Sequence, residues 1–111
     1  MIEIDDEALV VSPYVVAELD YLIATRIGVK EELTVLSELA SGGYLLAALD
    51  ETDLEQAVAV ITKYQDQEIG VADASIVVLA DRFQTRTILT LDRRHFEVLR
   101  PLSGGKFKVI P

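Results

Sequence analysis

The sequence predicts an α/β fold in which helices flank a mainly parallel sheet. Three observations predict it: short apolar, β-branched runs typical of buried strands, longer segments with helical spacing, and pairs of helical segments between successive strands. Connections that contain helices join parallel strands, whereas a hairpin needs only a few residues. Ligands in such folds bind beyond the carboxyl ends of the strands, so functional residues are expected there.

The first half of the chain contains two strands separated by two helices. Residues 8–11 form an apolar run typical of a buried strand, and Ser12 with Pro13 provides an N-cap and a first-turn proline for a helix that runs to about residue 26. Leucines at helical spacing predict a second helix over residues 30–40, which ends before two glycines. Residues 44–49 form the second predicted strand.

The second half repeats this order and adds a last strand. Thr52 and Glu55 have the spacing of a capping box and predict the start of a helix that ends near Asp66. Residues 71–83 predict a helix whose middle is almost entirely apolar, which indicates burial. Residues 87–91 are suited to a strand covered on both faces, a polar cluster follows as a short helix or turn, and residues 107–110 form the last strand.

Length and composition favour one domain over residues 1–111, located in the cytoplasm. The chain has no cysteine, which excludes disulfides and thiolate zinc sites, and His95 is its single histidine. No apolar run is long enough to span a bilayer, and the acidic N-terminus does not resemble a signal peptide. The net charge of −9 divides unevenly, because residues 1–80 hold 16 acids and 3 bases whereas residues 81–111 hold 3 acids and 7 bases. That division places Arg82, Arg86, Arg93 and Arg94 near the expected site.

Three carboxylates occupy positions where a plain core prefers apolar side chains. Glu18 lies on an apolar stripe of the first helix, Asp73 lies in the first turn of the apolar helix, and Asp92 ends the strand that begins at residue 87. Each has a structural alternative: a helix dipole favours an acid at Asp73, Asp92 suits a cap or turn, and Glu18 could face outward, since Asp20 shows that the same helix can carry an outward-facing acid. Converging carboxylates repel one another, and a hard divalent cation such as Mg²⁺ or Mn²⁺ compensates that repulsion. Such a cation site predicts phosphodiester hydrolysis.

Four motifs, in this order and spacing, resemble those of PIN-domain ribonucleases of the VapC toxin type. They are residues 10–19, 63–66, 70–75 and 87–96, and they span most of the chain together with the closing residues 109–111. The resemblance implies a PIN-like three-layer α/β fold. It also implies an endoribonuclease that depends on Mg²⁺ or Mn²⁺, acts on an RNA substrate, is silenced by a VapB-type antitoxin, forms a homodimer and needs no membrane.

The resemblance also assigns residues to the site. Glu18, Asp73 and Asp92 match the family's catalytic, metal-binding acids. Candidates to support those acids or to bind RNA are Asp66, Thr90, Arg93, Arg94 and His95. For Asp66 a solvated helix end, for Thr90 ordinary strand preference and for His95 a purely structural role are the alternatives.

One part of the family's pattern is missing at the N-terminus. Family members begin with a central strand ending in Asp and then a helix, whereas only seven residues precede residue 8 here. In one interpretation, residues 2–7 correspond to the tail of the missing helix and its turn. In the other, residues 1–5 form the strand and Asp5 is the fourth acid, although too little chain follows for a parallel crossover. Segment exchange between protomers could fill the gap in either case.

Two other functions remain open from the sequence. One is a catalytically incomplete PIN-like binding module that pairs with an antitoxin or a homologue. The other is a metal-dependent phosphodiesterase acting on DNA.

Overall fold

The structure is a computed structural model that describes residues 1–3, 9–90 and 93–110. Its elements in chain order are β1 (Ile2–Glu3), β2 (Leu9–Val11), α1 (Pro13–Arg26), α2 (Val29–Leu39), β3 (Tyr44–Leu46), α3 (Glu51–Lys63), α4 (Val71–Arg82), β4 (Thr87–Leu89), α5 (Arg93–Val98) and β5 (Lys108–Ile110). A 3₁₀ turn at Gln65–Gln67 links α3 to α4. The strands form one sheet in the order β3-β2-β1-β4-β5.

The predicted α/β class is confirmed, but the sheet is mixed because its central strand runs against its neighbours. β2 pairs with β3 and β4 pairs with β5 in parallel, whereas Ile2 of β1 lies antiparallel to both Val10 and Ile88. Only five residues separate Glu3 from Leu9, a length that permits an antiparallel return but no parallel crossover.

Strand β1 contains Ile2 and Glu3, so it tests both interpretations of the N-terminus. Ile2 and Glu3 form a strand, so their assignment to the tail of a helix is wrong. The central position is filled as the other interpretation requires, but in the reverse direction. Asp5, the fourth acid of that interpretation, lies outside the described residues.

Helix α1 begins as the sequence predicts. Ser12 has extended backbone angles, its Oγ accepts a hydrogen bond from the backbone N–H of Tyr14 at 3.1 Å, and Pro13 occupies the first helical position. No side chain of α1 is fully buried, and Val15 is half-buried against the core. The helix therefore lies on the surface of the core rather than inside it.

Helix α3 begins earlier than predicted. The capping box is formed by Asp50 and Asp53, whose backbone N–H groups each donate to the other's carboxylate at 2.9 and 3.0 Å. Thr52 and Glu55 lie within the helix, so the capping box predicted for them is wrong. Asp caps a helix as well as Ser or Thr does, and the earlier acidic pair therefore competes successfully.

Helix α4 is the central element of the core. Eight of its twelve residues are buried, including the apolar middle that predicted burial, Ile76 to Ala80. It packs against α3, α1, β1 and β4, and this position directs its N-terminus, which carries Asp73, to one end of the sheet. Among the described residues, no helix combines the length and hydropathy needed to cross a membrane.

Candidate active site

A cleft of about 1000 Å³ opens where β4 ends. Leu89 and Thr90 line it at the end of β4, and residues of α1 and of the first turn of α4 line it as well. The start of α5 contributes Arg94 and His95. The cleft therefore lies beyond the carboxyl end of a strand, as expected for an α/β fold.

Glu18 reaches the cleft from the middle of α1. It is exposed and shares the cleft wall with Val15, Leu19 and Leu22 of the same helix. The apolar stripe predicted around Glu18 is therefore present, except that Tyr21 is 67% exposed. A carboxylate on this apolar wall is available to a ligand in the cleft.

Asp73 lines the same cleft from the first turn of α4. Its side chain is 20% exposed, and its Oδ2 lies 2.5 Å from Nδ1 of His95 in α5. This contact ties the start of α4 to α5 across the end of the sheet and fixes the orientation of the carboxylate. His95 thus lies beside a predicted catalytic acid, in a contact that the sequence did not reveal.

The other candidate residues divide between the cleft and its surroundings. Thr90 and Arg94 line the cleft together with Glu18 and Asp73, and both make contacts of their own. Arg93 is exposed and is absent from the lining. Asp92, the third acid of the predicted set, lies outside the described residues.

In the segment before α4, the acid that lines the cleft is not the one that the sequence predicted. Asp66 is exposed in the 3₁₀ turn, where its Oδ2 accepts a hydrogen bond from Gln67 Nε2 at 3.3 Å, and it does not line the cleft. Glu68, which sequence reasoning missed, does line it. Its left-handed φ of 54° is uncommon for a residue other than glycine and turns the chain towards α4. A single glutamate in a polar turn gave no signal of this placement.

Two of the four arginines expected near the site lie elsewhere. Arg82 ends α4, far along the helix from Asp73, and its guanidinium contacts Asp53 and the backbone carbonyl of Ala48. Arg86 precedes β4 at the end opposite Thr90, and its Nη2 donates to Ser103 Oγ at 3.3 Å. Charge counted along the sequence does not distinguish the two ends of a helix or strand, so the expectation is wrong for Arg82 and Arg86, whereas Arg94 lines the cleft.

The donor chemistry of the cleft suits a hard divalent cation. Carboxylate oxygens such as those of Glu18 and Asp73 are the ligands that Mg²⁺ and Mn²⁺ prefer. The N-terminal ammonium of Met1 lies at the same end and donates to Leu89 O at 3.1 Å; burial lowers its pKa to about 6, and the charge of Asp73 opposes this. Within residues 1–3, 9–90 and 93–110, no three acidic or histidine side chains are close enough to share one ion. The described carboxylates are thus suitable ligands but do not form a complete set.

Comparison with known proteins identifies the family. A sequence model of the PIN domain matches residues 2–100. Over 105 residues the chain is 68% identical to Ribonuclease VapC26 of Mycobacterium tuberculosis, a match that covers 95% of this chain and 78% of that protein.

The chain belongs to the PIN-domain family, and its type is VapC. The resemblance found in the sequence motifs is confirmed. The crystal structure of VapC20 of Mycobacterium tuberculosis has the same PIN fold. VapC20 is named there as a toxin that cleaves the sarcin-ricin loop. That match has a TM-score of 0.72 at 16% identity and covers 78% of this chain and 67% of the other.

Proposed function

We propose that this PIN domain is the endoribonuclease toxin of a VapBC-type pair, hydrolysing RNA phosphodiester bonds with Mg²⁺ or Mn²⁺. The observation that supports it best is the convergence of Glu18 and Asp73, from different helices, on one cleft at the end of β4. The 68% identical relative named a ribonuclease supports the same activity. In this proposal the partners are RNA, a VapB-type antitoxin and a second copy of the chain, and the location is the cytoplasm.

Each candidate residue has a specific part in the proposed reaction. Glu18, Asp73 and Asp92 would hold the cation, which when bound polarises the phosphate and lowers the pKa of a coordinated water. His95 holds the Asp73 carboxylate in place through its Nδ1 contact. Arg94, exposed at the rim, is placed to contact a phosphate oxygen of the RNA, for which a guanidinium is well suited.

Apolar side chains line the cleft beside its carboxylates. Val15, Leu19 and Leu22 form an apolar wall beside Glu18, and Ile76 contributes from α4. Carboxylates near apolar surface interact more strongly with a cation than carboxylates in open water, because the local dielectric is lower.

The direct test measures RNA cleavage with Mg²⁺ or Mn²⁺ in wild type, Asp73→Asn and Asp81→Asn. Asp81 is an exposed acid on the same helix outside the cleft, so its variant controls for charge and helix chemistry. We expect Asp73→Asn to lose at least about a hundredfold in rate while Asp81→Asn stays near wild type. Equal rates in all three would refute the catalytic role of Asp73.

Parallel assays separate the alternative functions. Cleavage of single-stranded or duplex DNA, with RNA left intact, would favour a DNA phosphodiesterase. A wild-type chain that cleaves neither nucleic acid but binds an antitoxin tightly would favour a binding module.

A further inference from the structure

We infer that a buried hydrogen bond between Ser12 and Ser75 is a positioning contact that sets the distance between Glu18 and Asp73. The inference rests on the proposed function, since it concerns the two carboxylates of that site. Ser12 Oγ and Ser75 Oγ are 2.6 Å apart. Ser12 caps α1 six residues before Glu18, and Ser75 lies in α4 two residues after Asp73.

The pair is unusual for its burial. Ser12 is 0% exposed and Ser75 is 1% exposed, and they are the two buried polar residues in the described part of the chain. The side chains around them are apolar, as on α4, where Ala74, Ile76 and Val77 are all buried. A buried hydroxyl that lost its partner would pay the desolvation cost of an unsatisfied group, so the contact favours one arrangement of the two helices strongly.

The neighbouring bonds determine which hydroxyl donates. Ser75 Oγ lies 2.6 Å from the carbonyl oxygen of Ala72, which can only accept, so the single proton of Ser75 points there. Ser75 Oγ must then accept from Ser12, whose Oγ accepts in turn from the N–H of Tyr14 at 3.1 Å. The result is a directed chain from the first turn of α1 to the first turn of α4 with every proton used.

The contact matters because α1 packs against α2 and α4 on the surface of the core without burying any side chain of its own. Its half-buried Val15 packs against the core cluster. At a rise of about 1.5 Å per residue, Glu18 lies roughly 9 Å along the chain from Ser12. A small rotation of α1 about its N-terminus therefore moves the Glu18 carboxylate relative to Asp73, which is fixed in the best-packed helix of the fold.

Removing one hydroxyl should loosen this arrangement without removing any residue of the cleft. In Ser75→Ala the proton of Ser12 loses its acceptor, whereas Ser75→Thr keeps a hydroxyl at the same position. Substitutions that disturb the orientation of metal-binding side chains typically cost about tenfold or more in metal affinity or activity. We expect Ser75→Ala to lower kcat and weaken Mn²⁺ binding by about tenfold with little change in KM, and Ser75→Thr to recover part of both.

A matched control separates positioning from general destabilisation. Val60 is 4% exposed on α3 and packs in the core shared with α4, away from the cleft. Val60→Ala should lower Tm by at least as much as Ser75→Ala yet leave kcat and Mn²⁺ binding unchanged.

The decisive experiment measures the helix arrangement itself, without metal or RNA. The chain has no cysteine, so Arg26→Cys at the end of α1 and Asp81→Cys at the end of α4 can carry spin labels at exposed positions. Pulsed electron paramagnetic resonance should give a shifted or broader distance distribution in the Ser75→Ala background, and an unchanged one in the Val60→Ala background.

An unchanged distribution in Ser75→Ala, or equal broadening in Val60→Ala, would overturn the inference. If the distribution changes in Ser75→Ala while the wild-type chain neither binds Mn²⁺ nor cleaves RNA, the positioning contact is supported and the proposed function is refuted.

Discussion

The ion pair between Arg82 and Asp53 ties the end of α4 to the first turn of α3. One Arg82 nitrogen contacts the Asp53 carboxylate and the other donates to the carbonyl oxygen of Ala48 at 2.9 Å. The two side chains are 37% and 14% exposed, so solvent screens the pair. A screened pair of this kind contributes up to about 1 kcal/mol, and the bond to Ala48 contributes about 1 kcal/mol. We therefore expect Arg82→Met to lower the free energy of unfolding by about 1 to 2 kcal/mol.

The ion-pair part can be isolated with a double-mutant cycle. Asp53→Asn removes the charge but keeps an oxygen that can accept from the backbone N–H of Asp50, so the capping box survives. Urea unfolding of wild type, both single variants and the double variant should give a coupling free energy of up to about 1 kcal/mol at pH 7. A coupling of zero would show that the pair contributes nothing.

The same pair predicts a pH dependence. The hydrogen bond from Arg82 lowers the pKa of Asp53, with a smaller contribution from the backbone N–H of Asp50. Because the folded pKa lies below the unfolded value of about 3.9, the stabilisation is complete above that value and is lost as pH falls through the folded pKa. Carboxyl NMR titration should show the Asp53 pKa rising in Arg82→Met. An unchanged Asp53 pKa in that variant would refute the reasoning.

Three further perturbations have definite outcomes. His95→Ala removes the hydrogen bond to Asp73, and we expect RNA cleavage to slow by about tenfold with little change in Tm; an undiminished rate would contradict the contact's role. Ile88→Ala empties a fully buried position in β4 and should cost about 2 to 5 kcal/mol in urea unfolding, whereas a loss below about 1 kcal/mol would mean that the sheet repacks. A hydrogen bond with Asp20 raises the pKa of Glu32, so Asp20→Asn should lower that pKa in an NMR titration, and no change would show that the two carboxyl groups are apart.

Local signals predicted the elements well where chain geometry and burial agree. Ser12 and Pro13 start α1 as expected because an extended cap followed by a fixed proline φ is decided within a few residues. The apolar middle of α4 predicted its central place because an all-round apolar helix has to be buried. The ends of elements were less accurate: β3 ends at Leu46 rather than at residue 49, and α3 ends at Lys63 rather than near Asp66.

Features that depend on distant parts of the chain were not available from the sequence pattern. The central position of β1 depends on the pairing of Ile2 with Ile88 of β4, which lies far along the chain. Glu68 lines the cleft and has a left-handed backbone conformation, which the neighbouring residues in the sequence do not predict. The contact of His95 with Asp73 joins residues 22 positions apart, and only the packing of α5 against the start of α4 creates it.

The sequence indicated candidate acids because a carboxylate is unexpected among the apolar neighbours that a protein core prefers. Glu18 and Asp73 stood out against apolar neighbours, and the structure brings both to one cleft. The Ser12 and Ser75 hydroxyls gave a weaker signal, since a serine at a helix cap or within an apolar helix is common. Their partnership is visible only in three dimensions.

The most direct test of the central claim is a crystal of this chain soaked in Mn²⁺ and examined by anomalous scattering. The account predicts a peak in the cleft that is coordinated by carboxylate oxygens of Glu18, Asp73 and Asp92 and is displaced or absent in a crystal of Asp73→Asn. A wild-type cleft without a peak, or a peak bound by other residues while Glu18 and Asp73 point apart, would contradict it.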